Sequence, residues 1–212
     1  AASDVYKRQT FVSCFGYIAF ARMVSGMGTT IFAAHSIAIT AEQIVYIPGY
    51  GLRVATSTLV GNALGEKDIR KLKATERVSI LITLLIMVVN GIGLYLFAYP
   101  FMRLFTNSVN AARIGSEMLR LVSFSEPFFG LMIVLEGISY GMGRTKHVFA
   151  CEAVSMWGIR IFGTFLCVNV FGLGLKAVWL CMIADNICKA ILLYIFRPKH
   201  VEENADDRGE LR

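Results

Sequence analysis

Two glutamates sit beside prolines in otherwise apolar surroundings: Glu42 a turn and a half before Pro48, and Glu126 directly before Pro127. Pro48 has no N–H to give the carbonyl of Ile44, and Pro127 leaves the carbonyl of Ser123 without its usual donor. A carboxylate near a freed carbonyl is a nest for Na⁺, or for a proton held on the carboxyl. The same pattern fits prolines that only shape helices, with each glutamate a protonated, hydrogen-bonded packing group. Asp185 and Lys189 are spaced i, i+4 and can pair with each other, which makes a structural salt bridge of a third ion-coupling candidate. Arg160 stands alone in an apolar run, placed either to hold a carboxylate from another helix or to shape a cavity.

Phe124, Phe128, Phe129 and Met132 surround the second proline and are candidates to line a substrate cavity. At helical spacing they serve equally as packing. Glu136 and Glu152 fall near span ends, where water or loop cations can satisfy them, and Arg22 and Arg53 are placed to snorkel. His35, His147 and His200 are isolated, so no metal set is expected. The five cysteines lie in apolar runs without CxxC or paired spacing and read as reduced packing residues.

These groups need elements to carry them, and the composition says which. Hydrophobic residues make up 56% of the 212-residue chain and charged residues 17%, against about 25% charged in an ordinary globular protein. The apolar runs are apolar all round, and several reach the ~20 helical residues that cross a hydrocarbon layer. Six spans follow, at 11–24, 31–64, 78–97, 117–140, 148–170 and 177–196. The first is short and extends backward if residues before 11 join it. The second is too long for one straight crossing, and Pro48-Gly49 interrupts it.

The segment GEKDIRKLKATER reads as a basic loop with Asp68 as the cap of the third span. Pro100 is expected to end that span, and MRLFTNSVNAARIGSEMLR to lie at the surface. Residues 1–10 read as a foreign or truncated start, 11–197 as one transmembrane lobe, and 198–212 as a disordered polar tail.

On this scheme Glu42 and Glu126 lie about 16 Å and about 14 Å into their spans, both near mid-membrane. The net charge of +6 does not mark a nucleic-acid protein, because the cations cluster by loop. One side of the membrane collects the basic segment around residues 67–77, Arg144, Lys146 and Arg197, while the other holds Arg103, Arg113, Arg120 and Lys176. That asymmetry places both termini in the cytoplasm. The sequence has no HExxH, GxSxG or paired-aspartate motif, so an enzyme is not expected.

FARMVSGMGT at 20–29 and the long run AAHSIAITAEQIVYIPGYGLRVATSTLVGNALGEKD at 33–68 together resemble the MATE (multidrug and toxic compound extrusion) family. PFMRLFTNSVN, LRLVSFSEPFFGLMIVLEGISYGMGRTKH, SMWGIRIF and GLGLKAVWLCMIADN continue the resemblance in order, over roughly residues 11–197. It implies an all-α membrane protein, its six transmembrane helices forming the C-terminal lobe of a twelve-helix transporter. It also implies an antiporter of the cell membrane that exports drugs or organic cations in exchange for Na⁺ or H⁺. The other partners are membrane lipid and an N-terminal lobe outside this chain, with no cofactor and no nucleic acid. Glu42 matches a glutamate common at that place in the family, while Glu126 stands where many members carry glutamine. Phe128-Phe129 stands where others carry an aspartate, and the first span has no acid. A lipid-linked saccharide flippase of related architecture is the alternative, for which a cavity lined by several cations would be expected.

Overall fold

The computed structural model describes residues 2–196, and the tail expected at 198–212 lies outside them. Helix α1 covers Ala2–Ser25, so the first rod does extend backward from residue 11. It ends at Gly26–Gly28, where Gly28 takes φ +112°, a conformation that side chains resist. Helix α2 is Thr29–Gly65 and α3 is Ile69–Phe105, 37 residues each. At 1.5 Å per residue each is about 55 Å long, well beyond a ~30 Å hydrocarbon layer.

Three sequence expectations are corrected between α2 and α4. The basic segment is not a loop: only Glu66–Asp68 lies outside the helices, and IRKLKATER forms the first turns of α3. Asp68 is the cap, its Oδ1 accepting from Lys71 N at 2.9 Å, and the Lys, Glu and Arg that follow are good helix formers. Pro100 does not end α3, which runs on to Phe105. The proline faces outward, while Ala98 and Met102 on the opposite face are buried and hold the helix to α4. The segment after it is a surface stretch only in part: 103–110 is largely exposed, whereas the helix that follows buries one face. Helix α4, Val109–Ser123, is capped by Ser108 and buries Ala112, Gly115, Leu119 and Val122 along one face.

The fourth crossing is broken rather than straight. Helix α5, Glu126–Gly141, departs from α4 by 61° at the Phe124–Ser125 joint. Helix α6, Thr145–Ser155, passes into a π-helical stretch, Met156–Ile161, then the single turn α7, Phe162–Phe165, and a second π-helical stretch, Leu166–Val170. Together they form one 26-residue apolar rod. Gly172, at φ +61°, turns the chain into α8, Leu175–Ile195. No strand occurs among the described residues, and no disulfide joins the cysteines.

Four of the rods are by themselves long and apolar enough to cross a membrane, and α4 with α5 makes a fifth. The sixth, α1, has the length but carries Asp4, Lys7 and Arg8 in its first turns. The outer surface is apolar: Leu81, Leu85, Val89, Ile92 and Leu96 of α3 all point away from the protein. Such a surface has lipid as its solvent.

The interior divides into two apolar clusters. One gathers Phe20, Ala38, Leu94, Met102, Leu119, Val178 and Trp179, and the other Tyr46, Val60, Met87, Phe129, Ile133, Ile138 and Leu193. On α2 the division falls between Ala41 and Tyr46, on α3 between Met87 and Leu94, and on α8 between Met182 and Ala190. In every one of those gaps sits a polar residue: Glu42, Asn90, and Asp185 with Asn186 and Lys189. The lobe thus carries a polar belt between two apolar layers.

A polar belt and a cavity at mid-height

Helix α2 brings Glu42 to the belt with its carboxylate buried. One turn on, Tyr46 donates its hydroxyl to Glu42 Oε1 at 2.5 Å. The Tyr46 ring stacks on Phe129 of α5, with centroids 3.7 Å apart, so the donor cannot wander. Pro48 lies inside the unbroken helix. Near the carbonyl it frees, Asn90 of α3 reaches across and donates Nδ2 to the carbonyl of Val45 at 3.1 Å. A neighbouring helix thus supplies a donor at the interrupted turn.

Asp185 of α8 is fully buried and closely surrounded. Lys189 Nζ lies 3.2 Å from its Oδ2, the i, i+4 pair read from the sequence, and Arg160 Nε lies 2.8 Å from the same oxygen. Ser155 donates to Asp185 Oδ1 at 2.5 Å. Arg160 therefore holds a carboxylate from another helix and also lines the cavity described below. The π-helical turn of Met156–Ile161 carries it there, and Ser155 immediately precedes that turn. Wide turns of this kind re-aim side chains, often at functional sites.

Glu126 begins α5 at the broken joint and is fully buried, with no hydrogen-bond partner for either oxygen among the described residues. Gly91 of α3 lets the joint approach: a Cβ there would stand 2.8 Å from the carbonyl of Ser123 and 3.2 Å from Glu126 Cβ. Glu136 is satisfied neither by loop cations nor by position alone. Arg53 Nη1 reaches Glu136 Oε2 at 3.0 Å, so Arg53 pairs across helices instead of snorkelling. Glu152 accepts from Ser13 at 3.5 Å, and Arg22 stays exposed. His35 accepts from Trp179 Nε1 at 3.2 Å, and no His, Cys, Asp or Glu cluster suited to a metal occurs among the described residues.

A cavity of about 370 Å³ opens along the belt between α1, α2, α5, the α6 rod and α8. It brings together Glu42, Phe129, Met132 and Arg160 from the sequence candidates. Asp185 and Glu126 lie off its wall, and Phe124 and Phe128 do not line it. The 61° joint turns those two rings outward, Phe124 to 70% exposure against the edge of Tyr95. The wall also holds Tyr17, Gln43, Tyr46, Tyr50, Arg53, Glu136, Asn186 and Lys189. Of these, Tyr46 was legible as an i, i+4 partner of Glu42; the remainder depend on how the helices meet.

A family model described as MatE matches residues 9–166. The chain belongs to the MatE family. It is 30% identical over 190 residues to a probable multidrug resistance protein NorM of Thermotoga maritima, covering 89% of this chain and 40% of that protein. This MatE chain therefore spans about two-fifths of the length of that curated relative, and a similar share, 38%, of the Photorhabdus laumondii one.

Among solved structures, the MatE lobe superposes on a MOP superfamily transporter from Pyrococcus furiosus with a TM-score of 0.82 at 19% identity, over 92% of this chain and 44% of that one. A Vibrio cholerae MATE transporter, VcmN in the bent form, gives 0.82 at 15% identity over 93% and 44%. At these identities the likeness establishes the fold: six helices forming one lobe of a MATE-type transporter.

Proposed function

We propose that this chain is the C-terminal lobe of a cation-coupled antiporter that exports organic cations or drugs in exchange for Na⁺ or H⁺. It works in the cell membrane, opposite a second six-helix lobe, with both of its ends on the cytoplasmic side. The observation that carries the reading is Glu42, a buried carboxylate on the wall of a mid-height cavity whose hydrogen-bonding neighbour among the described residues is a neutral hydroxyl. It is available to a cation, whereas Asp185 is already held by two.

The exchange follows from one charge. A proton or Na⁺ on Glu42 neutralises the carboxylate, and an organic cation needs it negative. The two therefore compete for one group. Each stabilises the conformation in which it is held best, and the inward–outward equilibrium follows whichever is bound. Tyr46 keeps the carboxylate aimed in either state, and the Tyr46–Phe129 stack presents a π face to an apolar cation.

The test is dye efflux in everted vesicles by the protein containing both lobes. Glu42→Gln is expected to insert and fold yet lose ion-driven export. Unchanged export would defeat the reading. Running the assay under separate Na⁺ and pH gradients distinguishes the coupling ions.

The flippase alternative draws support from three cations on the cavity wall, Arg53, Arg160 and Lys189. Arg160 and Lys189 share Asp185, and Arg53 faces Glu136, so each already has an anion. That leaves an anionic headgroup less to bind and favours export of cations.

A further inference from the structure

We infer that Arg53 is a tethered occupant of one end of the organic-cation site, and that a substrate cation takes its place on Glu136 and Tyr50. The inference rests on the cation-export reading above. Arg53 Nη1 lies 3.0 Å from Glu136 Oε2. Its guanidinium carbon also lies 5.1 Å from the centre of the Tyr50 ring and 6.0 Å from that of Tyr140. A carboxylate with aromatic faces around it is the arrangement that recognises quaternary and other organic cations. Here the protein's own guanidinium fills it.

The geometry separates a fixed root from a movable head. Gly137 of α5 packs directly on the backbone of Arg53, where a Cβ would come 2.7 Å from the Arg53 carbonyl. The Arg53 backbone is therefore pinned against α5. Its side chain keeps 31% exposure against 10% for that of Glu136, so the arginine can leave while the acid cannot. With Arg53 displaced, Glu136 is a buried anion beside the cavity and needs another cation. Asp185 offers no such exchange, being wholly enclosed by Arg160, Lys189 and Ser155.

The site would therefore set selectivity by exchange: a cation is accepted only if it satisfies Glu136 and Tyr50 better than Arg53 does. Arg53 would lower affinity for every substrate and favour those with a delocalised or quaternary charge.

The test measures tetraethylammonium binding by titration calorimetry on the purified transporter containing both lobes. Arg53→Ala is expected to bind it about tenfold more tightly than wild type. Arg53→Lys, which keeps the charge but not the planar head over Tyr50, falls between. Adding Glu136→Gln to Arg53→Ala abolishes the gain. Unchanged or weaker binding by Arg53→Ala overturns the inference, as does a gain that survives Glu136→Gln. If Arg53→Ala does not stay monodisperse, Arg53→Gln and Arg53→Lys carry the same comparison. Wild-type binding that Arg53 substitutions leave unaltered sinks this inference alone; loss of all tetraethylammonium binding, wild type included, sinks the export reading with it.

Discussion

Arg160 Nε stands 2.8 Å from Asp185 Oδ2, and that contact ties the π-helical turn of the fifth rod to the middle of α8. Lys189 completes the arrangement from the same helix as Asp185. One acid is thus shared by two buried bases, which leaves the trio with one positive charge in excess.

Removing the acid leaves both bases uncompensated. Asp185→Asn is expected to destabilise the lobe by about 3–5 kcal/mol, the usual cost of orphaning a buried charge. Thermal challenge followed by size-exclusion chromatography in detergent reads it. Pairing Asp185→Asn with Arg160→Gln should recover part of the loss, because the two changes are coupled. Strict additivity would show that the contact carries no energy.

Tyr46→Phe keeps the ring that stacks on Phe129 and deletes only the hydroxyl on Glu42. Losing one such hydrogen bond costs about 1 kcal/mol, which corresponds to a roughly fivefold drop in transport at limiting substrate. Efflux by Tyr46→Phe should fall between wild type and Glu42→Gln. An effect as large as that of Glu42→Gln would mean that the hydroxyl itself handles the cation.

The α2–α5 contact tolerates no side chain at 141. A Cβ there would lie 2.5 Å from the carbonyl of Ser57 and 2.8 Å from Val60 Cβ. Gly141→Val should force the helices apart and cost about 1–3 kcal/mol or more. Gly51 on the same long helix α2 meets nothing within 4 Å, so Gly51→Ala is the matched control. It should be neutral or stabilising by up to about 1 kcal/mol. Melting curves of the two variants in one detergent give the comparison.

Lys67 holds φ 57° at the turn between α2 and α3, a left-handed conformation that costs a side-chain residue about 1 kcal/mol. Lys67→Gly relieves it and should raise the melting midpoint without touching transport. A lower midpoint would mean that the lysine side chain contributes more than its backbone strain removes.

The residue pattern alone specified a chain of long apolar rods with lipid as their solvent, because apolar runs without a polar face have no stable place in water. It also marked Asp68 as a cap and Asp185–Lys189 as a pair, since both are local spacings within one helix. Prolines were less informative. Pro48 and Pro100 sit inside continuous helices, the first beside the Val45 carbonyl that Asn90 bonds and the second between the buried Ala98 and Met102. Pro127, in the first turn of α5, did mark the 61° break after α4, whereas the π-helical turns of the fifth rod left no mark that a propensity could detect.

Which charges meet was decided only by the assembled helices. Arg53 and Glu136 lie far apart in the sequence, and each alone fitted an exposed span end. Arg160 found Asp185, Asn90 found Val45, and Phe124 and Phe128 turned away from the cavity that Phe129 and Met132 line. A sequence states the period of each helix, and so which of its own residues share a face. The azimuth at which one helix docks on the next is set by small residues such as Gly91, Gly137 and Gly141 closing against backbone, and only there do distant side chains become partners.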